Sequence, residues 1–186
     1  MFQALNRATL ARLLMKTHSA TTSPITVRVT TSKDLLFVIQ TERHPDNAPY
    51  IGQWSEARHR DAIASPNEAH FIIEIDAQPI GYLILTGLND VHEAINLRRI
   101  VIVPKGKGYG RAVLRWVKLY TFESLQFHRL WFDVIDTNER AKMLYLSEGF
   151  TIEGTMRESW KTADGYKDML LLSMLAFDYA QATAAK

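Results

Sequence analysis

The sequence predicts a mixed α/β domain, and three stretches carry that prediction. Phe71–Ile75 and Pro79–Leu85 are apolar, strand-like runs joined by the short turn Asp76-Ala77-Gln78, a spacing that pairs them as an antiparallel hairpin. Ile100-Val101-Ile102-Val103 feeds a glycine-rich loop and then an apolar segment with helical spacing. Phe150–Met156 and Asp168–Leu175 read as two closing strands around the turn Ala163-Asp164-Gly165. Strands paired first by hairpins and later linked through helices give a mixed sheet flanked by helices.

A length of 186 residues fits one domain with a core of its own. The chain is 47% hydrophobic and 23% charged, and a net charge of +2 is too small to argue for nucleic acid. The absence of cysteine excludes disulfides, thiolate metal sites and a cysteine nucleophile, and fits a cytoplasmic protein. No apolar run approaches the length of a membrane span. The expected partner is therefore neither nucleic acid nor membrane. His44, His59, His70 and His92 lack metal-ligand spacing, so no metal is expected.

In chain order, residues 1–23 carry Arg7, Arg12 and Lys16 with no acid before Asp34. An organelle presequence has that composition, as does a tail or a start read too early, with Met15 a candidate start. The expectation is a disordered or dispensable tail, then a single domain over 24–180 and a C-terminal tail over 181–186. Ile25–Thr30 alternates as a half-buried strand does. Ser32 is expected to cap a helix reaching about Arg43, and two prolines make residues 44–49 a loop. A second helix covers Ser55–Ile63, with Trp54 at its entrance either packing or walling a pocket. Glu93–Val103 is a strand, and Ala112–Phe127 a helix with Gly110, Leu114, Val117, Thr121 and Leu125 on one face. Phe127–Val134 is another strand. Asn138 begins a short helix that Gly149 ends.

The loop Lys105-Gly106-Lys107-Gly108-Tyr109-Gly110-Arg111 is the most informative stretch. A strand feeding a tight glycine loop and then a helix leaves the first helical N–H groups unpaired, and the helix dipole adds positive potential. Lys105, Lys107 and Arg111 supply charge that suits phosphates. A plain strand–helix turn with solvated cations would have the same residues. Two familiar phosphate loops are excluded. Val101 and Gly108 stand where a P-loop needs its first glycine and its hydroxyl, and Arg111 replaces the third glycine of a dinucleotide fingerprint. Asp133 lies near the distance at which that fingerprint expects an acid, but without the third glycine the match is a coincidence.

From Leu97 to Leu175 the chain resembles the GNAT superfamily of N-acetyltransferases, in the branch holding ribosomal-protein and spermidine N-acetyltransferases. The resemblance rests on Ile100-Val101-Ile102, Gly106–Gly110, Asp136–Ala141, Leu144-Tyr145 and Glu148-Gly149-Phe150. Glu153-Gly154, Met156-Arg157-Glu158 and Asp164-Gly165 extend it. It implies a mostly antiparallel central sheet splayed between two strands. It also implies acetyl-coenzyme A as co-substrate, its pyrophosphate on the glycine loop and its pantetheine arm along Ile100–Val103. Asn138 would bond the coenzyme as well as cap its helix. Tyr145 would be the general acid for the departing thiolate. A tyrosine near pKa ~10 and a thiol near ~8.5 make that proton transfer uphill by about 2 kcal/mol. Without the resemblance, Tyr145 reads as a core tyrosine with a satisfied hydroxyl.

The sequence departs from the family pattern in three places. Lys105 replaces a forked donor, the segment 104–106 is short, and Asn96 stands where many relatives carry a glutamate base. Glu93 is at an odd offset from Asn96, hence on the other strand face. A water chain or an acceptor arriving as free amine would then replace the base. The expected activity is direct acetyl transfer to a primary amine of a small molecule or peptide, by a monomer or homodimer. Trp54, Asn96 and Trp160 are the candidate acceptor-side residues. The alternative is a non-catalytic coenzyme A-binding domain, which Asn96 favours and Tyr145 opposes.

Overall fold

The structure, a computed structural model, describes residues 25–184. The expected tail at 1–23 lies outside the described residues. Seven strands form one sheet in the order β1-β2-β3-β4-β5-β7-β6. They are β1 (Thr26–Val29), β2 (Glu68–Ile75), β3 (Gln78–Thr86), β4 (Ala94–Ile102), β5 (Arg129–Ile135), β6 (Thr151–Thr162) and β7 (Gly165–Leu175). Every neighbouring pair is antiparallel except β4 with β5. The hairpin at 71–85 is as expected, and its two-residue connection holds Asp76 and Ala77 at φ 49° and 59°, the left-handed pair that a tight hairpin uses.

Helices cover both faces. On one side lie α1 (Leu35–Arg43) and α2 (Glu56–Ala64), packed where Val38, Ile72, Tyr82, Ile84 and Val101 form a small core. On the other, α3 (Tyr109–Leu119) and α4 (Glu139–Ser147) close the main core around Leu85, Ile95, Leu114, Val117, Leu130 and Phe132. A fifth helix, α5 (Ala176–Ala184), follows β7 and runs past the boundary expected at 180.

Four local expectations are corrected. Thr31, not Ser32, caps the first helical turn, because Asp34 reaches back to accept from the Thr31 N–H at 2.8 Å. The helix expected over Ala112–Phe127 starts at Tyr109 and widens into a π-helical turn over Tyr120–Ser124. Its buried face also holds Val113, Trp116 and Tyr120, with Trp116 and Tyr120 stacked and both edge-on to Phe71. Glu93 falls outside β4 at φ 54°, so alternation along the strand does not reach it. The closing strands are longer than their apolar stretches because hairpin pairing continues through exposed, polar residues.

One irregularity matters for the site. Between β3 and β4 the register steps from Ile84↔Arg99 to Leu85↔Leu97, leaving Arg98 as an extra residue. A bulge reverses the side-chain alternation beyond it. Ile95 and Leu97 therefore share the main core with Ile102, an odd offset, while Arg99 and Val101 turn to the face covered by α1 and α2.

Candidate active site

β4 and β5 pair only over Ala94↔Arg129, Ile95↔Leu130 and Asn96↔Trp131. Beyond that point they separate, and a cavity of about 970 Å³ opens between Leu97–Ile102 and Phe132–Ile135. A strand edge that loses its neighbour keeps N–H and C=O groups in need of partners, which an extended ligand can supply. Ile100, Val101 and Ile102 line this cavity. Val103 does not lie among the lining residues, and its N–H donates to the Ile80 carbonyl at 2.8 Å.

The glycine loop stands at the end of β4. Gly106 and Gly108 have φ of 78° and 79°, and Gly108 is the N-cap of α3. The Gly108 carbonyl accepts from Arg111 and Ala112, while the N–H groups of Gly108, Tyr109 and Gly110 have no hydrogen-bond partner among the described residues. Gly106, Gly108, Tyr109 and Gly110 all line the cavity. Unpaired amides at a helix N-terminus, with no side chain on the alternate residues, are what a pyrophosphate needs.

The loop cations are used differently from the expectation. Lys105 lines the cavity, but its Nζ donates to Asn47 Oδ1 at 2.6 Å, and burial with Arg140 nearby lowers its pKa. Asn47 is itself buried and donates to the Thr41 carbonyl, so Lys105 ties the 44–50 loop over the glycine loop. Arg111 donates to Glu148 Oε1 at 2.7 Å. Glu148 also takes Arg115 at 3.1 Å and Lys118 at 2.8 Å. Burial alone would raise its pKa, but those three cations hold it down at about 2. Glu148 thus engages one of the three loop cations expected for phosphates, Arg111. Lys107 lies outside the cavity lining. Asn138 lines the cavity and caps α4 as expected, its Oδ1 accepting from Ala141 N at 3.2 Å. Its side-chain amide N–H groups have no partner among the described residues.

Tyr145 is 7% exposed, packs 4.3 Å from Phe132 by ring centroids, and lines the cavity. Its hydroxyl makes no hydrogen bond among the described residues, unlike a core tyrosine with its polar tip satisfied. Burial, with a smaller contribution from Asp133, pushes its pKa up to about 12. Against a thiol near ~8.5 the proton transfer is uphill by roughly 5 kcal/mol, more than twice the figure for an unperturbed tyrosine.

Trp54 and Trp160 line the cavity too, and Trp54 also packs, with Arg58 and Arg99 at 4.0 and 4.2 Å over its ring. Asn96 does not line it. It is buried, with Nδ2 donating to the Trp131 carbonyl at 3.3 Å and Oδ1 in a weak contact with Thr86 at 3.5 Å, where it supports the last β4–β5 rung. That corrects its expected acceptor-side position. Two groups were not among the expected site residues. Asp133 lines the cavity as a half-buried carboxylate, its pKa raised by burial, with no hydrogen-bond partner among the described residues. Glu42 on α1 sits behind Trp54 and Arg99, bonded to Arg99 Nη1, to the Tyr82 hydroxyl (2.6 Å) and to the Trp54 N–H (3.0 Å). His59 Nε2 lies 3.1 Å from Glu42 Oε1 but out of hydrogen-bonding alignment. His59 Nδ1 meets His70 Nε2 at 3.2 Å, and His70 Nδ1 meets Thr30 Oγ1 at 2.8 Å.

A sheet splayed between two parallel strands, with a glycine loop capping a helix at the mouth of the gap, defines an acyl-coenzyme A-dependent acyltransferase. The chain belongs to the acetyltransferase (GNAT) family, whose sequence profile matches residues 36–150. It is 26% identical over 160 residues to the spermidine N(1)-acetyltransferase of Escherichia coli strain K12, covering 79% of this chain and 83% of that one. It is 31% identical over 116 residues to the corresponding Vibrio cholerae protein, covering 60% and 66%. The V. cholerae enzyme solved in complex with CoA and spermine superposes with a TM-score of 0.77 at 25% identity, over 84% of this chain and 98% of that one. The chain is an N-acetyltransferase that uses acetyl-CoA. Among the described residues no helix is long and apolar enough to cross a membrane.

Proposed function

We propose that the cleft between β4 and β5 holds acetyl-CoA extended from the glycine loop to Tyr145, and that a primary amine attacks the thioester there directly. The observation that carries this reading is the coincidence in one cavity of the splayed edges, the unpaired amides of Gly108–Gly110 and the unpartnered Tyr145 hydroxyl. A carbon–nitrogen bond forms, the carbon–sulfur bond breaks, Tyr145 protonates the thiolate, and the proton lost by nitrogen passes to Asp133 or to water. Asn138 offers its free amide N–H groups to the coenzyme. The whole domain, 24–180 with the rest of α5, is read as one catalytic unit in the cytoplasm.

Relatives that act on spermidine support a polyamine as acceptor. A dodecameric V. cholerae structure likewise makes a larger assembly an alternative to a monomer or homodimer. Incubation with acetyl-CoA and an amine panel, read by mass spectrometry of the products, tests the reaction; thioester binding without any acetylated amine would favour the non-catalytic alternative.

Two variants test the assignments. Gly108→Val puts a branched side chain at a positive φ where the phosphates must meet backbone, and is expected to weaken acetyl-CoA binding by at least roughly tenfold. Unchanged affinity by calorimetry in the folded variant would remove the loop from the coenzyme site. Asp133→Asn should lower kcat by roughly 10²-fold if its carboxylate receives the amine proton, the lower end of the range for positioned proton transfer. An unaltered rate would leave water as the acceptor.

A further inference from the structure

Arg99 is an unexpected wall for a cleft that receives an amine. It is 8% exposed and lines the cavity near Gly52 and Trp160, with its guanidinium 4.2 Å over the Trp54 ring. Glu42 holds Nη1 from behind. That carboxylate is 1% exposed and already serves Arg99, Tyr82 and the Trp54 N–H, so burial shields it from a ligand. Arg99 has capacity. A guanidinium carries five donors, and neither Nε nor Nη2 of Arg99 has a hydrogen-bond partner among the described residues.

The Arg98 bulge is what aims Arg99 at Glu42 rather than into the main core with Leu97. The arrangement is therefore fixed by backbone, ring and carboxylate together. A donor-only fork held in this way recognises an oxygen and offers an ammonium no acceptor. Spermidine offers nitrogen donors and positive charge, and no oxygen.

We propose that Arg99 is a specificity-determining residue that binds an oxygen of the acceptor close to its nitrogen, so that the preferred substrate is an amine with a neighbouring carboxylate or carbonyl rather than an unmodified polyamine. The inference rests on the acetyl-transfer reading above and departs from the polyamine acceptor that the relatives support. Glu42 acts here as a positioning residue, holding the fork without touching the acceptor.

The test compares kcat/KM for alanine, a C-terminally amidated trialanine, propylamine and spermidine in the wild type, Arg99→Met and Arg99→Lys. The wild type should prefer alanine or the peptide to propylamine and spermidine by roughly 10²-fold or more, the range for a buried charged contact to a ligand. Preference for alanine identifies a carboxylate, and preference for the peptide a carbonyl. In Arg99→Met the ratio should fall towards one, and Arg99→Lys should recover part of it through charge without the fork. Melting curves and acetyl-CoA affinity check that each variant is folded. If Arg99→Met does not fold, the wild-type preference and the lysine variant still decide. Spermidine or propylamine as the best wild-type acceptor, or a ratio unmoved by the substitutions, overturns the inference while acetyl transfer stands. Absence of transfer to every amine despite acetyl-CoA binding overturns both.

Discussion

Tyr145→Phe is expected to lower kcat with an amine acceptor by roughly 10²-fold or more, with coenzyme affinity and melting temperature close to wild type. The ring is held by Phe132 at 4.3 Å and Phe150 at 6.3 Å between centroids, and phenylalanine keeps both contacts. The hydroxyl has no protein partner among the described residues, so its removal orphans nothing in the core. A core tyrosine would behave in the opposite way, losing about 1 kcal/mol of stability with its hydrogen bond and keeping its activity. The raised pKa of about 12 does not rule out the acid role. A proton transfer uphill by roughly 5 kcal/mol fits within the roughly 16 kcal/mol barrier of an enzyme turning over about ten times per second. Measuring kcat and the melting curve on one preparation separates the alternatives, and full activity in the phenylalanine variant would take Tyr145 out of the mechanism.

The parts of this site that were legible in the sequence are those whose chemistry is local. Gly106, Gly108 and Gly110 announce a strand–loop–helix junction because positive φ and a bare helix N-terminus are decided within a few residues. Asn138 as a cap and Gly149 as a stop are read on the same scale, and the structure has both, with Gly149 at φ 88°. Partners distant in sequence were not legible. Lys107 and Arg111 suggest a phosphate clamp until Glu148, 37 residues beyond Arg111, is seen to take Arg111. Lys105 is drawn to Asn47 across 58 residues. Glu42 reads as an ordinary charge near the end of an amphipathic helix, and only the tertiary fold buries it.

The Arg98 bulge was not legible either. Face assignments along β4 assume a period of two, and one extra residue reverses them from Arg99 onward. Nothing in Leu97-Arg98-Arg99-Ile100 distinguishes the bulged arginine from the one directed at Glu42. Asn96 was misplaced because the position where β4 leaves β5 depends on pairing between strands, a property that neither strand's sequence displays alone. The splay itself entered the sequence reading only through resemblance to a family.

Glu42→Ala is expected to destabilise the folded protein by about 3–5 kcal/mol, the usual consequence of removing one partner from a buried ion pair. The loss leaves the Arg99 guanidinium without its anion, the Tyr82 hydroxyl without its acceptor and the Trp54 N–H unpaired. For a domain of this size the melting temperature should fall by on the order of 10 °C. Glu153→Ala supplies the contrast. Its pair with Arg129 is about one-third exposed and its other partner is the Ser173 hydroxyl at 2.5 Å, so the same truncation there should cost about 1–2 kcal/mol. The network also sets a direction for acid. Burial would raise the Glu42 pKa, but His59, Tyr82, the Trp54 N–H and Arg99 outweigh it and bring it to about 2. Its contribution is therefore complete above the ordinary carboxylate range near ~4.5 and is lost as pH falls towards 2. Burial, with His59 nearby, lowers the His70 pKa to about 3. Folding then favours the neutral ring, and that stability is present above the ordinary histidine value near ~6.5 and declines as pH falls towards 3. Wild-type melting temperature should thus decline first below about pH 6.5 through His70 and further below about 4.5 through Glu42 together with Glu148 and Asp34. Glu42→Ala should make the second decline shallower, leaving the part due to the other paired carboxylates, and keep the first. A variant that melts within a degree or two of Glu153→Ala would show that water reaches Arg99 and that the pair is not the buried support described above.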